Sequence, residues 1–250
     1  MSSTGRFVWY ELMTTDTEAA TAFYSDVVGW GARDSGMPGF DYTIFTAADS
    51  DTGGMMKLPP GAQQPGWIGY VHTDDVDAAA ARVAQAGGAV HRTAEDIPGV
   101  GRFAVVADPQ GAAFVLFRPS TEMDGPPKPP GTMGHAGWHE LHAAEWQSAF
   151  AFYADQFGWT KDAAIDMGPM GTYQLFAAGG VAIGGMMTRV EAMPSWLFYF
   201  NVPDINAAVA RVATGGGHVL SGPMEVPGGG WIIQCRDPQG AMFALLRPPA

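Results

Sequence analysis

Two glutamates stand in one repeated setting, Trp9-Tyr10-Glu11-Leu12 and Trp138-His139-Glu140-Leu141. Each lies in a short aromatic-rich run, and strand side chains alternate between two faces with a period of two. That alternation puts Glu11 and Met13 on the face of Trp9, and Glu140 and His142 on the face of Trp138. A carboxyl group desolvated among aromatic rings has its pKa raised, which poises it for proton transfer. The same group can instead accept hydrogen bonds from tyrosine or backbone donors and serve only the sheet. Glu11 and Glu140 are the candidate catalytic residues, with both readings open.

Other polar groups repeat less faithfully. Tyr70 and His72 share a face with Ile68, whereas Tyr199 shares its face with Asn201, which stands where the first copy has His72. His139 and His142 are three apart, which on a strand sends them to opposite faces and argues against a shared metal. The glycine runs after Pro98 and Pro227 are each followed by a strand, where a phosphate-binding loop needs a helix. Mobile loops are the reading there. No Gly-x-Ser-x-Gly elbow occurs, and the single cysteine, Cys235, sits in an apolar run as a small buried residue.

The chain repeats itself. A shift of 129 sets Trp9, Glu11 and Leu12 on Trp138, Glu140 and Leu141, and Phe23-Tyr24 on Phe152-Tyr153. The same shift sets Trp67 on Trp196 and Asp108-Pro109-Gln110-Gly111 on Asp237-Pro238-Gln239-Gly240. In mid-repeat it becomes 131, so that Gly53-Gly54-Met55-Met56 meets Gly184-Gly185-Met186-Met187. Residues 1–119 and 134–250 are therefore expected as two copies of one domain. The stretch 120–133, with prolines at 126, 127, 129 and 130, is the expected linker.

Within a copy the pattern predicts strand, helix, strands, then the same again. Phe7 to Met13 reads as a strand. Thr15-Asp16-Thr17-Glu18 offers a Thr-x-x-Glu capping box for a helix carrying Ala20, Phe23, Tyr24, Val27 and Val28, closed by Gly29. Tyr42–Ala47, Gly53–Leu58 and Trp67–Thr73 read as strands. Asp74 or Asp75 caps a second helix with Val76, Ala79, Ala80 and Val83 inward, ended by Gly87-Gly88. Val90, Phe103–Ala107 and Ala112–Phe117 supply further strands, the last two joined by the Asp-Pro-Gln-Gly turn. Each copy is thus two βαβββ modules, an α+β fold.

Composition narrows the partners. The 250 residues hold 13 Lys and Arg against 25 Asp and Glu, a formal net charge of −12, so nucleic acid is not an expected partner. No apolar run nears the ~18 residues of a spanning helix, which argues against a membrane. One cysteine and an opening without an apolar signal segment point to a cytoplasmic setting. A monomer or homodimer is expected.

A strand, a helix ending Phe-Tyr-x(4)-Gly-Trp, an Asp-Val-Asp-Ala helix ending Gly-Gly, and an Asp-Pro-x-Gly hairpin form an ordered set. It resembles the vicinal oxygen chelate superfamily of glyoxalases, bleomycin-resistance proteins and dioxygenases, and within it the tandem two-domain bacterial glyoxalase-like proteins. The resemblance implies paired modules curled around one cleft per copy, and in many members a divalent metal held by His, Gln or Glu. The implied ligand positions fall at Trp9, Ile68, Val115 and near Met55-Met56, and at Trp138, Leu197, Ala244 and near Met186-Met187. Indole and alkyl groups are not donors for such a cation. The expected cofactor is therefore none. The expected ligand is a small apolar or aromatic molecule, contacted by Trp9, Met55, Tyr70 and His72 in one cleft and by Trp138, His142, Met186, Tyr199 and Asn201 in the other. The alternative is a glyoxalase-like lyase or isomerase using a cleft glutamate as base, with or without a divalent metal. Of the two clefts, the first, with His72, is expected to be the chemically competent one.

Overall fold

A computed structural model describes residues 4–62, 64–121 and 128–249. Positions 122–127 of the expected linker, with its first two prolines, lie outside the described residues. Four βαβββ modules follow one another. The first is β1 (Phe7–Thr14), α1 (Thr17–Val28), β2 (Gly31–Asp34), β3 (Tyr42–Ala47) and β4 (Ser50–Lys57). The second is β5 (Gly66–His72), α2 (Val76–Gln85), β6 (Ala89–Ile97), β7 (Gly101–Ala107) and β8 (Ala113–Pro119). The third is β9 (Ala136–Ala143), α3 (Trp146–Phe157), β10 (Thr160–Asp166), β11 (Thr172–Ala178) and β12 (Val181–Thr188). The fourth is β13 (Ser195–Asn201), α4 (Ile205–Thr214), β14 (His218–Val226), β15 (Gly230–Arg236) and β16 (Met242–Arg247).

The strands form two mixed eight-stranded sheets, β2-β3-β4-β1-β5-β8-β7-β6 and β10-β11-β12-β9-β13-β16-β15-β14. Each sheet thus takes both modules of one repeat. Packing groups the described residues differently, into 4–8 with 68–121 and 139–196, and 9–62 and 64–67 with 128–138 and 197–249. Each compact unit pairs one module of the first repeat with one of the second. Helix α1 packs on α4 in one unit, and α2 on α3 in the other.

The helices begin and end where side-chain chemistry dictates. Asp16, rather than the expected Thr15, caps α1, its carboxylate accepting from the Ala19 amide at 3.0 Å. Glu145 does the same for α3, and Asp75 and Asp204 cap α2 and α4. A carboxylate reaches the free first-turn amides and also complements the positive end of the helix. Gly29 and Gly158 close α1 and α3 in the left-handed region, φ 88° and 68°, where a side chain would be strained. Helix α1 buries Ala20, Phe23, Tyr24, Val27 and Val28. Each large apolar group contributes roughly 1.5–3 kcal/mol.

One polar chain runs through the aromatic core of each unit. In one unit the Trp67 indole donates to the Tyr24 hydroxyl at 2.9 Å, and that hydroxyl donates to Asp237 at 3.0 Å. The other carboxylate oxygen of Asp237 accepts the Gln239 and Ala241 amides, fixing the Asp-Pro-Gln-Gly turn. The second unit repeats this with Trp196, Tyr153 and Asp108 at 3.1 and 3.1 Å, and with the amides of Gln110 and Ala112. Tyr24 stacks on Trp30 and Tyr153 on Trp159. The Phe-Tyr, Gly-Trp and Asp-Pro-Gln-Gly motifs therefore meet at one place. Burial pushes both aspartate carboxyls above their usual range, against the opposing pull of these hydrogen bonds.

Removing one link should be costly. Tyr153→Phe keeps the ring but leaves the Trp196 N–H and one Asp108 oxygen buried without this partner. A loss of about 2 kcal/mol in thermal or denaturant unfolding is expected. An unchanged melting temperature would show that the chain of hydrogen bonds carries no net stability.

Candidate functional site

The two glutamates project from β1 and β9, and each is buried. Strand pairing fixes what lies beside them. In the parallel register of β1 with β4, Glu11 pairs with Gly54, Leu12 with Met55 and Met13 with Met56. In β9 with β12, Glu140 pairs with Gly185, Leu141 with Met186 and His142 with Met187. Met55 and Met186 are therefore on the side of Leu12 and Leu141 and are fully buried in the core. The residues one step on, Met56 and Met187, lie on the glutamate faces. A single step along a strand reverses the face.

On the first of these faces the Trp9 indole donates to the Tyr42 hydroxyl at 2.9 Å, and Tyr42 is hydrogen-bonded to Glu11. Burial first, then the Glu11 charge, drives the Tyr42 hydroxyl well above its ordinary pKa, so it stays a donor. On the second face Tyr173 donates to one oxygen of Glu140 at 3.1 Å, and His142 Nε2 lies 2.6 Å from the other. Neither tyrosine figured among the expected site residues. The signal was present, because a shift of 131 sets Tyr42 on Tyr173. The glycines opposite make room for them. A Cβ on Gly54 would stand 2.1 Å from the Tyr42 hydroxyl oxygen, and one on Gly185 2.4 Å from the Tyr173 ring.

The second and fourth modules contribute other surfaces. Tyr70 and His72 pair with Val115 and Phe117 of β8, and the Tyr70 ring meets Phe117 edge-on. Burial lowers the pKa of His72, an effect that Arg118 adds to and Asp74 opposes. Leu197, Tyr199 and Ala244 form an apolar cluster with Trp138, Ile232 and Leu246 packed on it. The Tyr199 hydroxyl accepts a hydrogen bond from Gln234 at 2.8 Å. Asn201 is spent elsewhere. Its amide donates to the Pro130 and Thr132 carbonyls at 2.7 and 2.9 Å, so it anchors the inter-repeat segment. Its N–H donors are thus taken by backbone, while its buried Oδ1 has no hydrogen-bond partner.

His139 faces the other way from Glu140, as alternation requires. It stacks on Phe7 and bonds the Ile183 carbonyl at 2.5 Å. Burial drives its pKa down to about 4.

These sheets and module orders define a class of fold, the paired-βαβββ architecture, and comparison with known proteins agrees. The chain belongs to the Glyoxalase/Bleomycin resistance protein/Dioxygenase superfamily, whose model matches residues 6–116 and 132–245. It is 34% identical over 247 residues to the Mycobacterium tuberculosis protein named "Putative glyoxylase CFP32", covering 96% of this chain and 94% of that one. It is 33% identical over 261 residues to anthracycline biosynthesis protein DnrV of Streptomyces peucetius, covering 97% and 93%. Its fold is shared with the Mn(II)-bound glyoxalase from Novosphingobium aromaticivorans, at a TM-score of 0.67 and 17% identity, covering 99% and 83%. It is shared also with the 2,3-dioxygenase LapB from Pseudomonas sp. KL28, at 0.68 and 15%, covering 100% and 94%.

The residues at the superfamily's metal-ligand positions do not fit a divalent cation. In the second repeat Trp138, Leu197 and Ala244 pack on one another with Tyr199 as apolar neighbours. Among the described residues no three His, Cys, Asp or Glu side chains gather in a set that could hold a metal.

Two outcomes follow. Gly185→Ala should displace the Tyr173 ring from Glu140 and cost about 1–3 kcal/mol, read as a lower melting temperature. His139 is neutral in the fold to about pH 4 but titrates near 6.5 when unfolded. Its contribution is complete above about pH 6.5 and is lost progressively as pH falls toward 4. Melting temperature should decline across that window, and less steeply in His139→Phe. Equal slopes would assign the decline to other groups.

Proposed function

We propose that this protein binds a small, largely aromatic molecule bearing oxygen functions, without a divalent metal and in a cytoplasmic setting. The observation that carries this reading is the apolar packing of Trp138, Leu197 and Ala244, at the positions the resemblance implies for metal ligands, around Tyr199. In the first repeat Trp9 and Tyr42 lie beside Glu11, and in the second Tyr173 lies beside Glu140, so each face joins aromatic rings to a fixed carboxylate. Such a mixture suits an apolar ligand oriented by sparse hydrogen bonds. The relative named for anthracycline biosynthesis supports an aromatic ligand class.

A second reading is favoured by one specific contact, the 2.6 Å approach of His142 to Glu140. A glyoxalase-like lyase or isomerase needs a base placed against a carbon acid, and this pair offers one. The relative named as a glyoxylase supports it.

Elemental analysis of protein purified without added metal should find well under one equivalent of zinc, nickel, manganese or iron. Titration with 2-tetralone, a small aromatic ketone, should give a saturable change in tryptophan fluorescence. A full equivalent of tightly held metal would overturn the metal-free reading, with Glu11, His72, Glu140 and His142 the first ligands to replace. A linear, unsaturable response would count against aromatic ligand binding.

A further inference from the structure

We infer that the chemically competent glutamate face is the one in the second repeat, and that its base is His142, with Glu140 as the residue that positions it. This rests on the proton-transfer reading above and assigns its atoms. An ionised carboxylate only accepts hydrogen bonds, so the 2.6 Å contact of His142 Nε2 with Glu140 is accounted for by a proton on Nε2 donated to the carboxylate. In its base form the ring then holds its lone pair on Nδ1, because the bond made by one imidazole nitrogen sets the state of the other. Tyr173 donates to the second oxygen of the same carboxylate at 3.1 Å. Glu140 is therefore held from both sides and is itself poorly placed to leave its partners and attack a substrate. It acts as the acid of a catalytic triad does, fixing the tautomer and offsetting the charge that develops on the ring.

The first repeat cannot do this. Met13 stands at the position matching His142, and the Tyr42 hydroxyl there takes a hydrogen bond from Trp9 as it meets Glu11. A thioether has no proton-accepting lone pair of useful basicity, so duplication has left the imidazole on one face only. This reverses the sequence-based expectation that the first cleft, with His72, is the competent one.

The step balances without a further reactant. The C–H bond beside a carbonyl breaks, its proton passes to Nδ1, and the electron pair moves onto the carbonyl oxygen as an enolate. The imidazolium, its Nε2–H still on Glu140, returns a proton to that carbon or, where that carbon bears a hydroxyl whose proton moves to the first oxygen, to the former carbonyl carbon. Exchange or isomerisation results, according to which carbon receives it.

The test uses the full chain with 2-tetralone in D2O, following loss of the α-proton signals by NMR. The wild type is expected to exceed a buffer control. His142→Asn should reduce the protein-dependent rate about 100-fold or more, the usual contribution of a general base. Glu140→Gln should reduce kcat about 10-fold or more with little change in KM. His91→Gln, a surface histidine on β6, should leave the rate unchanged. Folding of each variant is checked by circular dichroism, and 15N-histidine spectra provide a readout independent of turnover. The His142 resonances should report a proton on Nε2 in the wild type and a mixed or reversed tautomer in Glu140→Gln. A proton on Nδ1 in the wild type would overturn the assignment. So would retention of rate in His142→Asn with its loss in Glu140→Gln, which makes the glutamate the base and leaves proton transfer standing. Saturable binding of the ketone without exchange would remove the inference and the proton-transfer reading but spare ligand binding. No binding at all would remove all three.

Discussion

A tyrosine hydroxyl buried among aromatic rings must find hydrogen-bond partners, and the way this one is satisfied organises the fold. Tyr24 and Tyr153 each accept a hydrogen bond from a tryptophan and donate one to an aspartate that in turn ties down a tight turn. The tryptophan begins the first strand of a module, the tyrosine sits on a helix, and the aspartate ends a hairpin. Three elements far apart in sequence are thereby fixed relative to one another. An unpaired hydroxyl at such a place costs about 1–3 kcal/mol, a large part of a domain's net stability. Apolar burial brings these rings together. The hydrogen bonds select one arrangement among the many that would bury equal area.

Once that arrangement holds, the two faces of β1 and β9 have separate duties. Leu12 and Leu141 are fully buried on one side, packed with the core. The glutamates take the other side because alternation leaves them nowhere else. A slip of one residue would bury Glu11 and Glu140 in the apolar interior, so the core defends the register of the site. The paired glycines belong to the same logic. Gly54 and Gly185 lie opposite the glutamates, and the missing side chain there lets a tyrosine ring lie against the strand and reach the carboxylate.

Much of this was legible from residue order. The repeat, the module plan, the helix stripes and the glycine helix ends follow from short-range pattern, and so does the separation of His139 from His142. What escaped depends on pairing between distant segments. Strand β2, Gly31–Asp34, is exposed along its whole length and shows no apolar alternation. Met55 and Met186 differ from their neighbours by one step, and only the register with β1 and β9 decides which methionine faces the glutamate. Asn201 matched His72 in sequence, yet its amide serves the backbone of the inter-repeat segment. Tyr42 and Tyr173 were visible as a repeated pair, but their approach to the glutamates arises from strands brought together by the fold.

Duplication explains why two faces of common origin need not share a duty. Both copies keep the tryptophan, the glutamate, the tyrosine and the glycine opposite. The last three are mutually dependent, because the ring needs the glycine and the carboxylate needs the hydroxyl. The position two residues beyond the glutamate is under no such constraint. It points to the same face, pairs with a methionine across the sheet, and accepts Met13 in one copy and His142 in the other. A change there alters the chemistry of the face without disturbing the hydrogen bonds that hold the tyrosine. The framework is thus conserved between the copies by packing, and the side chain at this position is free to differ.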